Sequence, residues 1–406
     1  MKKTSCILPL IVLMLATACK KQETGQIPDE RPLPAAKSSS PENFTFNLYR
    51  EVAAANPDKN VFLSPASARW ALGMAYTGAS GRTLEEMAAV LGARPVAENL
   101  EAEAGRIKSL MAADPKVTLR VANSLWLKKE FPFKESFVSS VRQSYQAEVF
   151  ARNFVSADVA EANAWVSRMT EGKIPSIIGE FGSDSCALLL NAVYFKGNWS
   201  DQFKKERTRD EDFLLPSGKT VKRKLMNISG DYEYFEDKDF QAVRLPYGNK
   251  RLGMVVLLPG KSFPLARLND RLTPAFWTET LNGMHKSLGD ISLPRFKLEF
   301  AASLNEPLKA MGMRLAFDKE KADFSNIAKL PPAGYLFISG VLQKTFVEVN
   351  EEGTEAAAAT AVMMAGAASA MPPPHFNFRA DHPFLYAITD RETGEILFLG
   401  ALYDPN

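Results

Sequence analysis

The apolar positions divide the chain into a helical first part and a strand-rich remainder. Helical spacing predicts helices over 44–55, 64–77 and 83–91. Runs rich in β-branched and aromatic residues predict strands over 119–127, 187–195, 240–245, 252–258, 290–300 and 334–349. A last pair, 384–389 and 396–402, flanks turn-forming residues and predicts a hairpin. Helices combined with mostly antiparallel strands indicate an α+β fold.

The start of the third predicted helix carries a capping signal. Thr83 and Glu86 have the spacing of a capping box, in which a hydroxyl and a carboxylate three residues later satisfy each other's backbone donors. We therefore expect this helix to begin at Thr83.

Composition and charge exclude several classes of function. The 406 residues include 49 Lys and Arg against 47 Asp and Glu, so a net charge of +2 gives no field that would attract nucleic acid. The three cysteines, Cys6, Cys19 and Cys186, allow neither a disulfide framework nor a zinc pattern. No motif for nucleophilic hydrolysis, phosphate binding, zinc proteolysis or dinucleotide binding occurs. We expect a protein that is not an enzyme and that uses no cofactor and no metal.

The chain has three histidines, and none predicts a catalytic triad. His285 lies in a polar segment, His375 follows three prolines, and His382 precedes Pro383. Each is typical of a turn or surface residue, so we do not expect a Ser/His/Asp site assembled from distant positions.

The N-terminus predicts export. Lys2 and Lys3 precede an apolar run at 7–15, which is too short to span a membrane, and small residues lead into Cys19. The sequence 15–19 resembles a bacterial lipoprotein box, which implies a signal peptide over 1–18, lipid on Cys19, a flexible tether over 19–42 and a domain over 43–406. The protein would then be anchored to a bacterial membrane or cell surface. The alternative is a cleaved secretory signal with an incidental cysteine.

A run of small residues follows the strand predicted to end at Val349. It has neither the turn residues of a tight hairpin nor the apolar stripe of an amphipathic helix. Its members are Gly353, Thr354, Glu355, Ala356, Ala357, Ala358, Ala359, Thr360 and Ala361.

Five segments of the chain carry recognisable motifs: NVFLSP at 60–65, GASGRTLEEM at 78–87, LNAVYFKGNW at 190–199, EVNEEGTEAA at 348–357 and FRADHPF at 378–384. Together, in this order and spacing, they resemble the serpins, a family of serine protease inhibitors. The resemblance implies the serpin fold, with three β-sheets, about nine helices and an exposed reactive-centre loop at about 352–378. It also implies a monomer that traps a target serine protease in a covalent one-to-one complex, after loop cleavage and insertion of the loop into the large sheet.

In that light the small-residue run resembles the hinge of the reactive-centre loop. An inserted strand alternates its side chains between the core and the outer face. One alternating set is uncharged and grows in size: Thr354, Ala356, Ala358, Thr360, Val362 and Met364. Residues 354–370 contain no Pro, Lys or Arg. These features favour inhibition over a non-inhibitory serpin with a carrier or chaperone role.

The family's usual spacing from the glycine at 353 places the reactive bond between Ala367 and Ala368. Ala368–Ser369 and Met364–Ala365 are alternatives. Every candidate residue is small or apolar, so the resemblance implies an elastase-like or subtilisin-like target rather than a trypsin-like one.

The resemblance also implies residues that control sheet opening. Ser64, Ser67 and Asn191 match a polar group beneath the sheet, and Gln343 stands where a histidine is usual; the alternative is a strand glutamine that faces solvent. Trp199 matches a tryptophan at the point where the loop enters. Arg295 and Glu351 are expected to form an ion pair nearby.

Overall fold

The computed structural model describes residues 41–92, 96–330, 335–352 and 375–405. The predicted signal peptide, Cys19 and almost the whole predicted tether lie outside these residues. So do the hinge at 353–361 and all three candidate bonds. None of the helices in the described residues is both long and apolar enough to cross a membrane.

Nine α-helices occur in the described residues, and the three predicted ones are among them. They are α1 Pro41–Ala54, α2 Pro65–Gly78, α3 Gly81–Leu91, α4 Val96–Met111, α5 Glu135–Tyr145, α6 Ser156–Met169, α7 Leu265–Arg271, α8 Pro274–Gly283 and α9 Asn305–Ala310.

Fourteen strands complete the described fold. They are β1 Val61–Leu63, β2 Val117–Lys128, β3 Glu148–Arg152, β4 Ala187–Gly197, β5 Arg209–Leu214, β6 Thr220–Glu236, β7 Phe240–Pro246, β8 Leu252–Pro259, β9 His285–Pro294, β10 Phe296–Ser303, β11 Ile338–Val349, β12 His375–Arg379, β13 Phe384–Asp390 and β14 Ile396–Leu402. Because β12 begins at His375, the last four residues of the predicted reactive-centre loop belong to a strand.

One sheet has five strands in the order β10-β11-β4-β2-β3. Its centre is a parallel pair, β11 and β4, while β10 is antiparallel to β11 and β2 is antiparallel to β4. β4 is buried on both sides along most of its length, which explains its continuous apolar run. The sheet therefore places a parallel pair at its centre and antiparallel strands on both sides of it.

The other nine strands form one hydrogen-bonded set in which two sheets share β6. Residues 225–234 of β6 pair with β9, and residues 233–236 pair with β7. The β7 side continues through β8, β13 and β14 to β1, and the β9 side ends at β12. Together with the five-stranded sheet, this gives the three sheets that the serpin resemblance implies.

The five-stranded sheet is covered on both faces. On one face α2 packs against β2 and β4 and is almost entirely buried. The N-terminus of α2 is stabilised by Ser64, whose hydroxyl accepts a hydrogen bond from the Ser67 amide at 3.3 Å, and by Pro65 in the first turn. On the other face, Trp165 and Val166 of α6 pack in one apolar cluster with strand residues such as Tyr194. Any strand added to this sheet must therefore fit between α2 and α6.

Two predictions about these elements are wrong. α3 begins at Gly81, not at Thr83, and Thr83 accepts a hydrogen bond from the Asp323 amide at 2.9 Å. Glu86 accepts hydrogen bonds from the amides of Arg314 and Leu315, so both side chains of the supposed capping box bind other segments. The strand predicted over 290–300 is two strands in different sheets, because the chain changes sheet at Arg295.

Candidate functional site

A buried polar cluster links β11, β4 and β2 on the α2 side of the sheet. We call Ser64, Ser67, Asn123, Asn191 and Gln343 the central polar cluster. Its three strand residues are cross-strand neighbours, because Gln343 pairs with Asn191 and Asn191 pairs with Asn123. All five side chains are buried. In a sheet interior otherwise filled with apolar side chains, these groups depend on one another for hydrogen bonds.

Gln343 makes the connections that span the parallel pair. Its Nε2 donates to Asn191 Oδ1 at 2.6 Å and to the Ser64 carbonyl at 2.9 Å, and its Oε1 accepts from the Ser64 amide at 3.0 Å. Gln343 is 1% exposed, so the alternative of a solvent-facing glutamine is wrong. The Gln343–Asn191 hydrogen bond crosses directly from β11 to β4.

Asn191 extends the central polar cluster to the next strand and the helix. Its Nδ2 lies 2.5 Å from both Ser67 Oγ and Asn123 Oδ1. Ser64 donates to the Leu397 carbonyl on β14 at 2.8 Å. The cluster contains amides and hydroxyls only, so its hydrogen bonds do not depend on a proton gained or lost near neutral pH.

A second group holds the end of β11, immediately before residue 353. We call Trp199, Thr208, Arg295, Asn350 and Glu351 the Trp199 cluster. Trp199 is 4% exposed and donates from Nε1 to the Asn350 carbonyl at 2.9 Å. Its ring stacks on another aromatic ring, that of Tyr247, at a centroid distance of 4.4 Å. Trp199 therefore combines core packing with a hydrogen bond to the departing chain.

Glu351 is a buried carboxylate within the Trp199 cluster. It accepts a hydrogen bond from Thr208 Oγ1 at 2.7 Å, and its other oxygen lies 3.5 Å from Arg295 Nε. Glu351 is 5% exposed, whereas Arg295 is about half exposed. The next residue, Glu352, points to solvent and pairs with Lys205 at 3.0 Å, and this hydrogen bond lowers the pKa of Glu352. The structure thus brings Arg295 and Glu351 together as predicted.

The comparison with known families decides which family these features belong to. Residues 39–405 match the family described as serpin (serine protease inhibitor). This chain is a serpin.

Relatives and solved structures agree with this assignment. An uncharacterised serpin-like protein of Thermococcus kodakarensis is 38% identical over 89% of this serpin and 84% of its own length. The leukocyte elastase inhibitor of Equus caballus is 36% identical over 91% of this serpin and 99% of its own length. Native tengpin, a thermophilic serpin, has a TM-score of 0.80 at 30% identity, over 90% of this serpin and 93% of its own chain. Human thyroxine-binding globulin in complex with thyroxine has a TM-score of 0.80 at 28% identity, over 90% of this serpin and 97% of its own chain.

Two side chains of these clusters escaped the sequence analysis, and Asn350 takes part through its backbone carbonyl. Asn123 completes the central polar cluster, and its only signal is an amide in the middle of β2. Thr208 donates to Glu351 from a segment that the sequence gives no reason to place there. Neither residue could be found without the register of the sheets.

The three histidines of this serpin differ in burial, which the sequence does not predict. His285 and His375 are exposed, as expected of surface residues. His382 lies in the bend between β12 and β13, in keeping with a turn residue, but it is 8% exposed and hydrogen-bonded through both ring nitrogens, so it is not a surface residue. In the described part of the chain, no cluster of His, Cys, Asp and Glu has the makings of a metal site.

Proposed function

We propose that this serpin irreversibly inhibits serine proteases that cleave after small or apolar residues. Residues 353–374 serve as bait, and after the cut the part that stays attached to β11 inserts as a strand between β11 and β4. The observation that carries the proposal is the parallel pairing of β11 and β4. A chain that turns back from the end of β11 runs antiparallel to it, and therefore antiparallel to β4 as well. Insertion replaces one parallel contact with two antiparallel ones, which are slightly more stable per residue.

The sequence of this segment suits a strand between two covered faces. The inward set from Thr354 to Met364 carries no charge, and no proline interrupts the hydrogen-bonding pattern between 354 and 370. Glu355 falls in the opposite, outward set. A charged side chain in the inward set would have to be buried against α2 without a partner, which costs several kcal/mol.

Insertion also has a defined barrier. It must break the pairing of β11 with β4, including the Gln343–Asn191 hydrogen bond of 2.6 Å. It must also release the chain from the Trp199 cluster, where Trp199 and Thr208 hold Asn350 and Glu351. We propose that these residues keep the sheet closed until the loop is cut.

The chemical step assigned to the loop is an interrupted proteolysis. The protease serine attacks the carbonyl of Ala367, an ester forms, and the amine of Ala368 leaves. Insertion then carries the acylated protease away and deforms it before water can hydrolyse the ester. Ala368–Ser369 and Met364–Ala365 are the alternative bonds.

The target class follows from the side chains near these bonds. Residues 356–374 contain no Lys or Arg, so a trypsin-like pocket with a buried carboxylate finds no cation. A shallow apolar pocket accepts Ala or Met, as elastase-like and subtilisin-like enzymes do. The similarity to leukocyte elastase inhibitors supports this choice.

The fold alone does not separate an inhibitor from a carrier, because thyroxine-binding globulin shares it. The uncharged inward set is what favours inhibition. We further propose that the protein acts as an exported monomer, held by lipid on Cys19 through the polar residues before 43, with the protease as its partner.

The test is incubation with elastase, subtilisin and trypsin, followed by denaturing gels and mass spectrometry. We expect a covalent one-to-one complex with elastase or subtilisin and none with trypsin. The first residue of the released C-terminal peptide identifies the bond.

Two variants at neighbouring positions sharpen this test. Ala358→Arg places a charge in the inward set and should turn the inhibitor into a substrate that is cleaved without a complex. Ala357→Arg places the same charge in the outward set and should still form the complex. Cleavage of the unmodified protein by elastase and subtilisin, with no stable complex with either, would overturn the proposal in favour of a non-inhibitory role.

A further inference from the structure

A buried histidine holds the connection between β12 and β13. His382 Nδ1 lies 2.8 Å from Asp381 Oδ1, and Nε2 lies 2.7 Å from the carbonyl oxygen of Pro259, the last residue of β8. The side chain of His382 is about 10% exposed. Each ring nitrogen therefore has one close oxygen partner.

Both of these partners can only accept a hydrogen bond. The Pro259 carbonyl has no proton to donate, and Asp381 is ionised. Burial alone would raise the pKa of Asp381, but hydrogen bonds from His382 and Lys261 outweigh it and hold that pKa below its usual range. A neutral imidazole has one N–H and can satisfy one acceptor, whereas an imidazolium has two. Only the charged ring makes both hydrogen bonds.

The other charges around His382 belong to three elements. Lys261, after β8, and Arg379, on β12, approach the second oxygen of Asp381 at 3.2 and 3.3 Å. Arg379 is itself paired with Glu211 on β5. His382 also lines an open cavity of about 310 Å³, shared with the charged connection Glu236–Asp239 between β6 and β7. This cavity gives water, and hence protons, a route to the ring.

The connection that His382 holds is the attachment point of β12. β12 has five residues, lies at the edge of its sheet and pairs only with β9 among the described strands. The Asp381 carbonyl accepts a hydrogen bond from the Leu214 amide on β5, and the Ala380 amide donates to the Ser292 carbonyl on β9. The residues just after β12 are thus tied to β5, β8 and β9.

We propose that His382 is a protonation-dependent latch that keeps β12 in place. Residues 353–374 are held at one end by β11 and at the other by β12. An uncut loop can insert fully only if β12 leaves β9, so a weaker latch allows the serpin to inactivate itself without a protease. The self-inactivation rests on the proposed function, whereas the latch itself does not.

The charge state is tested by nitrogen NMR on protein labelled with ¹⁵N-histidine. Only three imidazoles are present, and the variants His285→Gln and His375→Gln assign them. We expect both nitrogens of His382 to carry protons at about pH 5.5, where the latch requires the charged ring. A His382 ring with only one protonated nitrogen at that pH would overturn the proposal.

The latch is tested by amide hydrogen exchange of residues 375–379, with His382→Arg as a cation at every pH and His382→Gln as a neutral side chain. At about pH 8, where histidines are mostly neutral, we expect the unmodified protein to exchange about threefold to tenfold faster than His382→Arg, the effect of one hydrogen bond. At about pH 5.5 the two should match, and His382→Gln should be fast at both. Equal exchange of all three proteins at about pH 8 would refute the latch.

Inhibitory activity should be lost on incubation in the same order as the exchange rates: at about pH 8 the unmodified protein and His382→Gln should lose it faster than His382→Arg, and at about pH 5.5 only His382→Gln should. His375→Gln is the control, because it removes the histidine that lies on β12 itself, with Nε2 3.6 Å from Asp290 Oδ2. This variant should keep the pH dependence of the unmodified protein. If the protein proves not to be an inhibitor, the activity measurement fails while the NMR and exchange measurements still decide the latch.

Discussion

Glu351 is more buried and makes more side-chain contacts than an ordinary surface carboxylate. It is 5% exposed, accepts a hydrogen bond from Thr208 and faces Arg295. Glu352, one residue later, is more than half exposed and pairs with Lys205. A half-exposed ion pair is worth at most about 1 kcal/mol, but a hydrogen bond to a buried charge is worth more. The same charge reversal should therefore act differently at these two positions.

We expect Glu351→Lys to increase the fraction of latent or polymeric protein after mild heating. The new ammonium faces Arg295, loses the Thr208 hydrogen bond and loosens the end of β11 where the loop begins. Size-exclusion chromatography and native gels measure the monomer fraction, and Glu352→Lys is the matched control. A monomer fraction equal to that of the unmodified protein would show that Glu351 does not restrain the sheet.

Site residues were predicted correctly where the family resemblance located them and wrongly where only a local sequence pattern did. Gln343, Asn191 and the Arg295–Glu351 pair were located through a resemblance that carries three-dimensional information. Thr83 and Glu86 were misassigned because a capping box is a local pattern, and both side chains bind segments more than 200 residues away. His382 was misassigned because burial of a single polar side chain between strands leaves no periodic signal.

Among the elements, the β13–β14 hairpin meets α4 at a largely buried carboxyl group. Glu395, in the turn before β14, lies 3.4 Å from Arg106 of α4. Burial is the main cause that raises the pKa of Glu395 from 4.5 to about 7; Arg106 opposes the shift and Glu103 adds to it. Glu103 of α4 makes a buried ion pair with Arg69 of α2 at 2.7 Å. The ionised form of Glu395 therefore destabilises the packing of the hairpin against α4.

This arrangement predicts a pH dependence of stability. In the unfolded chain Glu395 loses its proton near pH 4.5, whereas in the fold it keeps the proton to about pH 7. Its contribution to the free energy of unfolding is highest below pH 4.5, falls between these values and is constant above them, by about 2 to 3 kcal/mol in total. Glu395→Gln should remove this part of the difference in melting temperature between about pH 5 and pH 8. Glu392→Gln, at an exposed neighbour, should retain it; an unchanged difference in Glu395→Gln would contradict the expectation.

The elements predicted most accurately were those with an uninterrupted apolar run. β4, β8 and the last hairpin are buried apolar runs, and their predicted and observed bounds agree within a few residues. The strand over 290–300 was predicted as one element because β-branched and aromatic residues continue beyond Pro294, which is the last residue of β9. The chain changes sheet there through Arg295, whose amide donates to the Lys224 carbonyl. Pro294 is a local signal of a strand end that the prediction passed over, whereas the partner of Arg295 is 71 residues away and has no local signal.

For the whole molecule, the order of strands matters more than any single contact. The two central strands of the five-stranded sheet are parallel neighbours, and the chain that leaves β11 has the composition of a further strand. Under the proposed mechanism such a sheet has two states, and the uncut chain would hold the less complete one because residues 353–374 are followed in the chain by β12. Sequence resemblance indicated this behaviour; composition and periodicity alone indicated only a large α+β protein.

We expect cleavage within residues 353–374 to raise the melting temperature sharply. An inserted strand of roughly ten residues adds ladder hydrogen bonds on both edges and breaks those between β11 and β4. The net gain is roughly ten hydrogen bonds at about 0.5 to 1.5 kcal/mol each, on the order of 10 kcal/mol in total. For a domain of this size, that corresponds to a rise of roughly 10 °C or more. Calorimetry before and after limited elastase digestion measures the change. Ala358→Arg, cut at the same bond, is the control and should show a smaller rise, because its inward charge opposes insertion. A cleaved protein that melts at the temperature of the uncut one would mean that the strand does not enter the sheet, and the trapping mechanism would fail with it.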